Sequence, residues 1–200
     1  MRKGLAAHIS GDQHLGSTVQ YGIEEFNDGP WAICVPSVAN IFPRRWFPPQ
    51  PGGNPKPGSP RYTGEYVDGF GNKVTVHAVS NPYLVDVEPK VLTQRAPGYG
   101  IVTFDRATRR ITLANWPRWV DPSKPGAQPY QGWPITIHQT DNGLPRRGWV
   151  LDKVETPGLK DPVLQVLDQA SGEIVYTWRI QGSSFTPTVF KEGLYTVRIT

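Results

Sequence analysis

Twenty-one prolines and twenty-one glycines among 200 residues constrain this chain more than any other feature. Average usage is about 5% proline and about 7% glycine. Proline removes a backbone donor and clashes with the preceding helical turn, yet is tolerated in turns and at strand edges. No stretch carries a sustained helical period. The chain is therefore predicted to be mainly β, with short strands joined by long structured loops.

Length and charge narrow the choice further. Two hundred residues fit one domain of ordinary size, or one with a small second. Twenty-one Lys and Arg against 17 Asp and Glu leave a net charge of +4. That charge is spread along the chain, so no nucleic-acid partner is read from it. The longest apolar runs are far too short for a membrane span. Seven tryptophans among 11% aromatic residues supply material for a core and argue against disorder. The single cysteine, Cys34, excludes an intrachain disulfide framework and a cysteine-rich zinc site. Met1-Arg2-Lys3 is followed by only a short apolar stretch, without the features of a secretory signal peptide. The chain enters a predicted strand almost at once, and further protein is expected upstream.

Along the chain, Leu5–Ser10 reads as a buried strand, and Gly11-Asp12-Gln13-His14-Leu15-Gly16 as a tight polar loop. Strands follow over Ser17–Ile23 and Trp31–Val38, the latter interrupted at Pro36. A Pro/Gly-rich insertion occupies about 42–62, around Pro48-Pro49-Gln50-Pro51-Gly52-Gly53, and is predicted as a surface excursion. Asp68-Gly69-Phe70-Gly71-Asn72-Lys73 is turn chemistry leading into a strand over Val74–Val79. Gly100–Phe104 and Arg110–Ala114 form the clearest hairpin. Val163–Leu167, Ile174–Ile180 and Leu194–Thr200 are strands of a small β-sandwich module with its boundary near Leu144-Pro145. At under sixty residues that module is expected to lean on the first part, with Trp149 or Trp178 as a contact.

Chemistry concentrates at Ile9-Ser10-Gly11-Asp12-Gln13-His14. A strand ends, Gly11 permits a sharp turn, and an Asp and a His face one opening. Ligands bind beyond the carboxyl ends of strands in α/β sheets, and carboxylate oxygen and imidazole nitrogen both ligate metals. Gly-Asp is equally ordinary turn chemistry, and a complete metal site needs more ligands. His8 reads as a core histidine, and His77 and His138 as ordinary strand histidines. Cys34 reads as a buried inert thiol. Glu24, Glu25 and Asp28 read as solvated turn carboxylates. Arg44-Arg45-Trp46-Phe47 has two readings: a grip on a phosphate ester, or a loop anchor in which the rings pack and the arginines stay wet.

Ser10-Gly11-Asp12-Gln13-His14 resembles the last metal-binding motif of alkaline phosphatase D-like metallophosphoesterases. These enzymes vary the Gly-His-x-His signature of calcineurin-like phosphoesterases, with Asp in place of the first His. The stretches Gly16–Gly22, Trp31–Pro36, Phe42–Pro48, Asp68–His77 and Gly98–Val102 fit the same group, as does the final β module. The resemblance implies a dinuclear centre of divalent or trivalent metal ions, hydrolysis of a small phosphoester by a metal-activated water, and export from the cytoplasm. It implies that His14 ligates one metal and that Asp12 sits where a ligand to the other is expected. Arg44 and Arg45, from their own chemistry, are the substrate-binding candidates. The family's earlier motifs (Asp-x-His, Gly-Asp-x-x-Asp, Gly-Asn-His/Asp and a lone His) have no counterpart here. The expectation is thus a C-terminal part. Residues 1–144 would end a calcineurin-like α/β sandwich, 145–200 would form an Ig-like module, and a missing N-terminal part would be needed for activity.

A second reading, from a different class, is a non-catalytic secreted β protein that binds an aromatic ligand or glycan through its many aromatic residues.

Overall fold

The computed structural model describes residues 1–39, 42, 44–81, 95–145 and 148–199. Pro43 of the predicted excursion and Thr200 of the predicted last strand lie outside them. The fold is mainly β. Among the described residues, helix is confined to two 3-10 turns, Arg2–Gly4 and Gln139–Asn142. No helix among them is long and apolar enough to cross a membrane.

The first sheet holds β1 (His8–Gln13), β2 (Ser17–Tyr21), β3 (Trp31–Pro36), β4 (Gly64–Val67) and β5 (Lys73–Val79), in the order β1-β3-β2-β5-β4. β1 runs parallel to β3, and the other pairs are antiparallel. The second sheet holds β6 (Gly98–Asp105), β7 (Arg110–Pro117) and β8 (Ile135–His138), antiparallel in that order. The two sheets share a core. Trp31 and Ile33 of β3 pack with Ile111 and Leu113 of β7 and Ile137 of β8. The alternation along β7 accounts for this: Ile111 and Leu113 are buried while Thr112 between them is half-exposed.

The predicted hairpin is present in full, from Gly98 opposite Pro117 to Asp105 opposite Arg110. Asp105 closes it by accepting from Ala107 N at 2.9 Å and Thr108 Oγ1 at 2.7 Å. Asp68 does the same between β4 and β5, accepting from Phe70 N and Asn72 N, each at 2.8 Å.

The remaining strands are β9 (Trp149–Val150), β10 (Val154–Glu155), β11 (Val163–Asp168), β12 (Ile174–Arg179), β13 (Ser184–Phe185), β14 (Thr188–Val189) and β15 (Tyr195–Ile199). β11 lies between β12 and β15 in a separate three-stranded sheet; β9 pairs with β14 and β10 with β13. A second core gathers Leu164, Val166, Tyr176, Trp178, Ile180 and Val189.

Leu5 belongs to that second core and not to a strand, which corrects the expected Leu5–Ser10 strand. It follows the first 3-10 turn with φ of 48° and is 1% exposed against residues more than 150 positions away in sequence. Left-handed backbone is unfavourable for a branched side chain; here burial offsets it. The strand starts three residues later and runs to Gln13. Among the described residues β1 borders only β3, and Ile9 is 48% exposed.

Arg109 links the two cores. Its guanidinium donates to the carbonyls of Arg179 and Ile180 and lies 4.7 Å from the centre of the Trp178 ring. Trp178 therefore makes the contact expected of it, whereas Trp149 is half-exposed in β9.

The proline-rich excursion is fastened at both ends. Trp46 N donates to Asn81 Oδ1 at 2.9 Å and Trp46 Nε1 to Tyr62 O at 2.8 Å. Gly53 exchanges backbone hydrogen bonds with Glu65 at 2.9 and 2.7 Å.

Candidate functional site

The parallel pair β1 and β3 brings the carboxyl ends of two strands to one edge of the first sheet. Ser10 lies opposite Cys34 and Gln13 opposite Pro36, so β1 carries one extra residue between them. This is a bulge, which bends a strand and re-aims its side chains. The left-handed residue in it is Asp12, with φ of 57°, and not Gly11. The expected glycine turn is thereby corrected: the strand runs on through Gly11, and the reversal falls on an Asp, one of the few side chains that tolerate that backbone. Asp12 is exposed and His14 half-buried.

After β3 the chain passes beside this loop. His14 Nδ1 lies 2.8 Å from Phe42 O, and the two rings stack at 5.7 Å. A carbonyl only accepts, so Nδ1 carries the proton and Nε2 is the ring nitrogen with the lone pair. The loop's far side is pinned by Gly16, whose N donates to Ser80 Oγ at 2.8 Å. A Cβ at Gly16 would lie 2.8 Å from both Asn115 Nδ2 and Pro36 Cδ, so the close approach requires glycine.

Arg44 and Arg45 follow Phe42 in the chain; Arg44 is exposed and Arg45 half-buried. The rings beside them are anchors. Trp46 meets Tyr66 edge-on at 5.1 Å and Phe47 packs on Tyr62 at 5.0 Å. Asp28 accepts from the backbone of Ile23, Glu24 and Glu25 at 2.6 to 2.9 Å. His138 caps the second 3-10 turn, and Cys34 is a half-buried free thiol. Among the described residues no group of three or more His, Cys, Asp or Glu side chains is placed to hold a metal ion.

One cluster escaped the sequence reading. His77, read as an ordinary strand histidine, stacks on Trp31 with ring centres 4.1 Å apart and planes at 20°. Burial, reinforced by the Lys56 ammonium, pushes its imidazole down to about 4. Trp31, Lys56 and His77 come from β3, the excursion and β5, and no local motif joins them.

No family model, curated protein or solved structure matches this chain.

Proposed function

We propose that the chain is the C-terminal part of a metal-dependent phosphoesterase of the alkaline phosphatase D-like type, supplying His14 and Asp12 to a two-metal centre. The observation that carries this reading is the hydrogen bond from His14 Nδ1 to Phe42 O. Metal-ligating histidines characteristically donate their other ring N–H to a carboxylate or carbonyl, which fixes tautomer and ring orientation. Asp12, two residues earlier on the same loop, adds an exposed carboxylate.

One Asp and one His are too few donors for two ions, so the remaining ligands come from protein outside this chain. In this reading, residues 1–144 are the end of a calcineurin-like sandwich, and 145–200 are an Ig-like module without a ligand role. Bound divalent or trivalent metal ions would polarise the phosphoryl oxygen and supply a hydroxide nucleophile near neutral pH. His14, oriented by Phe42, holds its lone pair in a fixed direction, Asp12 offers carboxylate oxygens, and Arg44 with Arg45 binds the phosphate charge.

The test joins this chain to an N-terminal part carrying the missing ligands and measures turnover of a chromogenic phosphodiester with Mn²⁺ or Fe³⁺. His14→Ala should lower turnover by roughly 100-fold or more, at least as much as losing an outer-shell partner costs, without a change in melting temperature. The 200-residue chain alone should show negligible turnover. Undiminished activity of His14→Ala in the joined protein, or His14-dependent activity of the chain alone, would overturn this division of ligands.

A further inference from the structure

β1 ends at Gln13, in the Asp12 loop, and begins at His8. Beside the residues that precede His8, where the first part meets the C-terminal sheet, opens a cleft of about 590 Å³. This volume is within the range of small-molecule sites. Its charged walls are Arg106, Arg109 and Arg110 at the β6–β7 turn, Arg179 at the end of β12, and the carboxylates of Asp105 and Asp161. Four guanidiniums face two carboxylates, which leaves two positive charges in excess.

The carboxylates are occupied elsewhere. Asp105 Oδ1 accepts from Ala107 N at 2.9 Å and Oδ2 from Thr108 Oγ1 at 2.7 Å, within its own turn, and feels Arg110 only as a nearby charge. Asp161 Oδ1 accepts from Gly182 N at 2.7 Å. Among the described residues no carboxylate forms an ion pair with any of the four arginines. Two of the guanidiniums are held by backbone carbonyls instead. Arg109 donates to Arg179 O and Ile180 O, and Arg179 donates to Asp161 O at 2.9 Å. A carbonyl fixes a guanidinium in place without cancelling its charge. Arg106, Arg110 and Arg179 are exposed, so an incoming anion can reach them.

We propose that this cleft binds a small phosphate-bearing anion that carries two or more negative charges. The uncompensated charge selects the sign and the number. The placement selects the group: the arginines come from a hairpin turn and from a strand of the other sheet, so they approach one space from different elements. A phosphate presents oxygens in several directions and can meet more than one fork, whereas a carboxylate offers one charge and two coplanar oxygens to a single fork. A neutral ligand would leave the excess charge unanswered. Arg109 and Arg179, already fastened by carbonyls, lose little freedom when the anion arrives. This site lies at the other end of β1 from Asp12 and does not rest on the metal reading.

The experiment titrates the 200-residue chain with pyrophosphate in metal-free buffer, following backbone amide NMR signals, and separately with hexaglutamate. Pyrophosphate should shift the signals of Arg106, Arg109, Arg110 and Arg179 saturably and should bind more tightly than hexaglutamate. Arg106→Met and Arg110→Met should each weaken it roughly tenfold, as loss of a hydrogen bond to a charged group does. Lys124→Met makes the same change of charge on an exposed loop after β7 and should leave the affinity unchanged. If one arginine variant fails to fold, the other carries the test. No saturable shift at these residues, shifts confined to Arg44 and the Asp12 loop, tighter binding of hexaglutamate, unaltered affinity in the folded arginine variants, or equal weakening by Lys124→Met would overturn the proposal.

Discussion

Leu5→Ala is expected to cost about 2–5 kcal/mol, the range for truncating a fully buried leucine. Leu5 is 1% exposed and packs with Leu164, Val166, Tyr176 and Trp178. Alanine shares leucine's cost at a φ of 48°, so the backbone strain remains while the burial that offsets it is lost. The loss should appear in the C-terminal sheet as well as in the global transition. Amides of β11 and β12 should exchange faster, since the lost methyl groups fill their core. Ile9→Ala serves as the control: Ile9 is 48% exposed on the edge strand and should change stability by only about 0.5 kcal/mol. Urea unfolding of both variants checks this. Equal effects of the two substitutions would mean that the N-terminal turn is not part of the C-terminal core.

The second large effect is on the pH dependence of stability. The His77 imidazole titrates near 4 in the folded protein, chiefly because it is buried and secondarily because Lys56 is near. In the unfolded chain it titrates near 6.5. Above that value it is neutral in both states and its contribution is fully present. Between about 6.5 and 4 the unfolded chain binds a proton that the folded protein excludes, so stability falls as the pH falls. At about 1.4 kcal/mol per pH unit, the loss across the window is on the order of 3 kcal/mol. Carboxylates act lower. Asp168 is held below its ordinary range chiefly by its hydrogen bond from Lys191 at 2.7 Å, so its contribution is lost only in more acid solution. His77→Gln should therefore flatten the dependence between about pH 6.5 and 4.5 and leave the acid limb intact. The check is urea unfolding at a series of pH values; parallel curves for the two proteins would contradict the burial of this imidazole.

The parts of the fold written in short periods were legible in the sequence. The β6–β7 hairpin and strands β5, β11, β12 and β15 alternate apolar and polar residues between Gly or Asp turns, and they lie where that pattern places them. The first strand was misplaced because its residues answer to distant partners. Leu5 is apolar for the sake of Leu164 and Tyr176, and so a core residue of another sheet passed as the start of β1. Exposure of β1 was equally hidden, since an edge position is a property of the sheet order. At the candidate site, Asp12 and His14 stood out by residue type. The bulge that turns Asp12, and the Phe42 carbonyl that orients His14, required the packing of the chain after β3. The stacking of Trp31 on His77 had no sequence signal, because each of these residues reads as an ordinary member of its own strand.

Metal analysis of the chain joined to an N-terminal part that carries the further ligands of the proposal tests the central claim most directly. The joined protein, purified and dialysed without chelator, should hold two metal ions per chain, the number a two-metal phosphoesterase requires. The His14→Ala variant should hold one or none, with the same melting temperature in metal-free buffer. Two retained ions in that variant, or none in the parent, would contradict the assignment of His14 as a metal ligand.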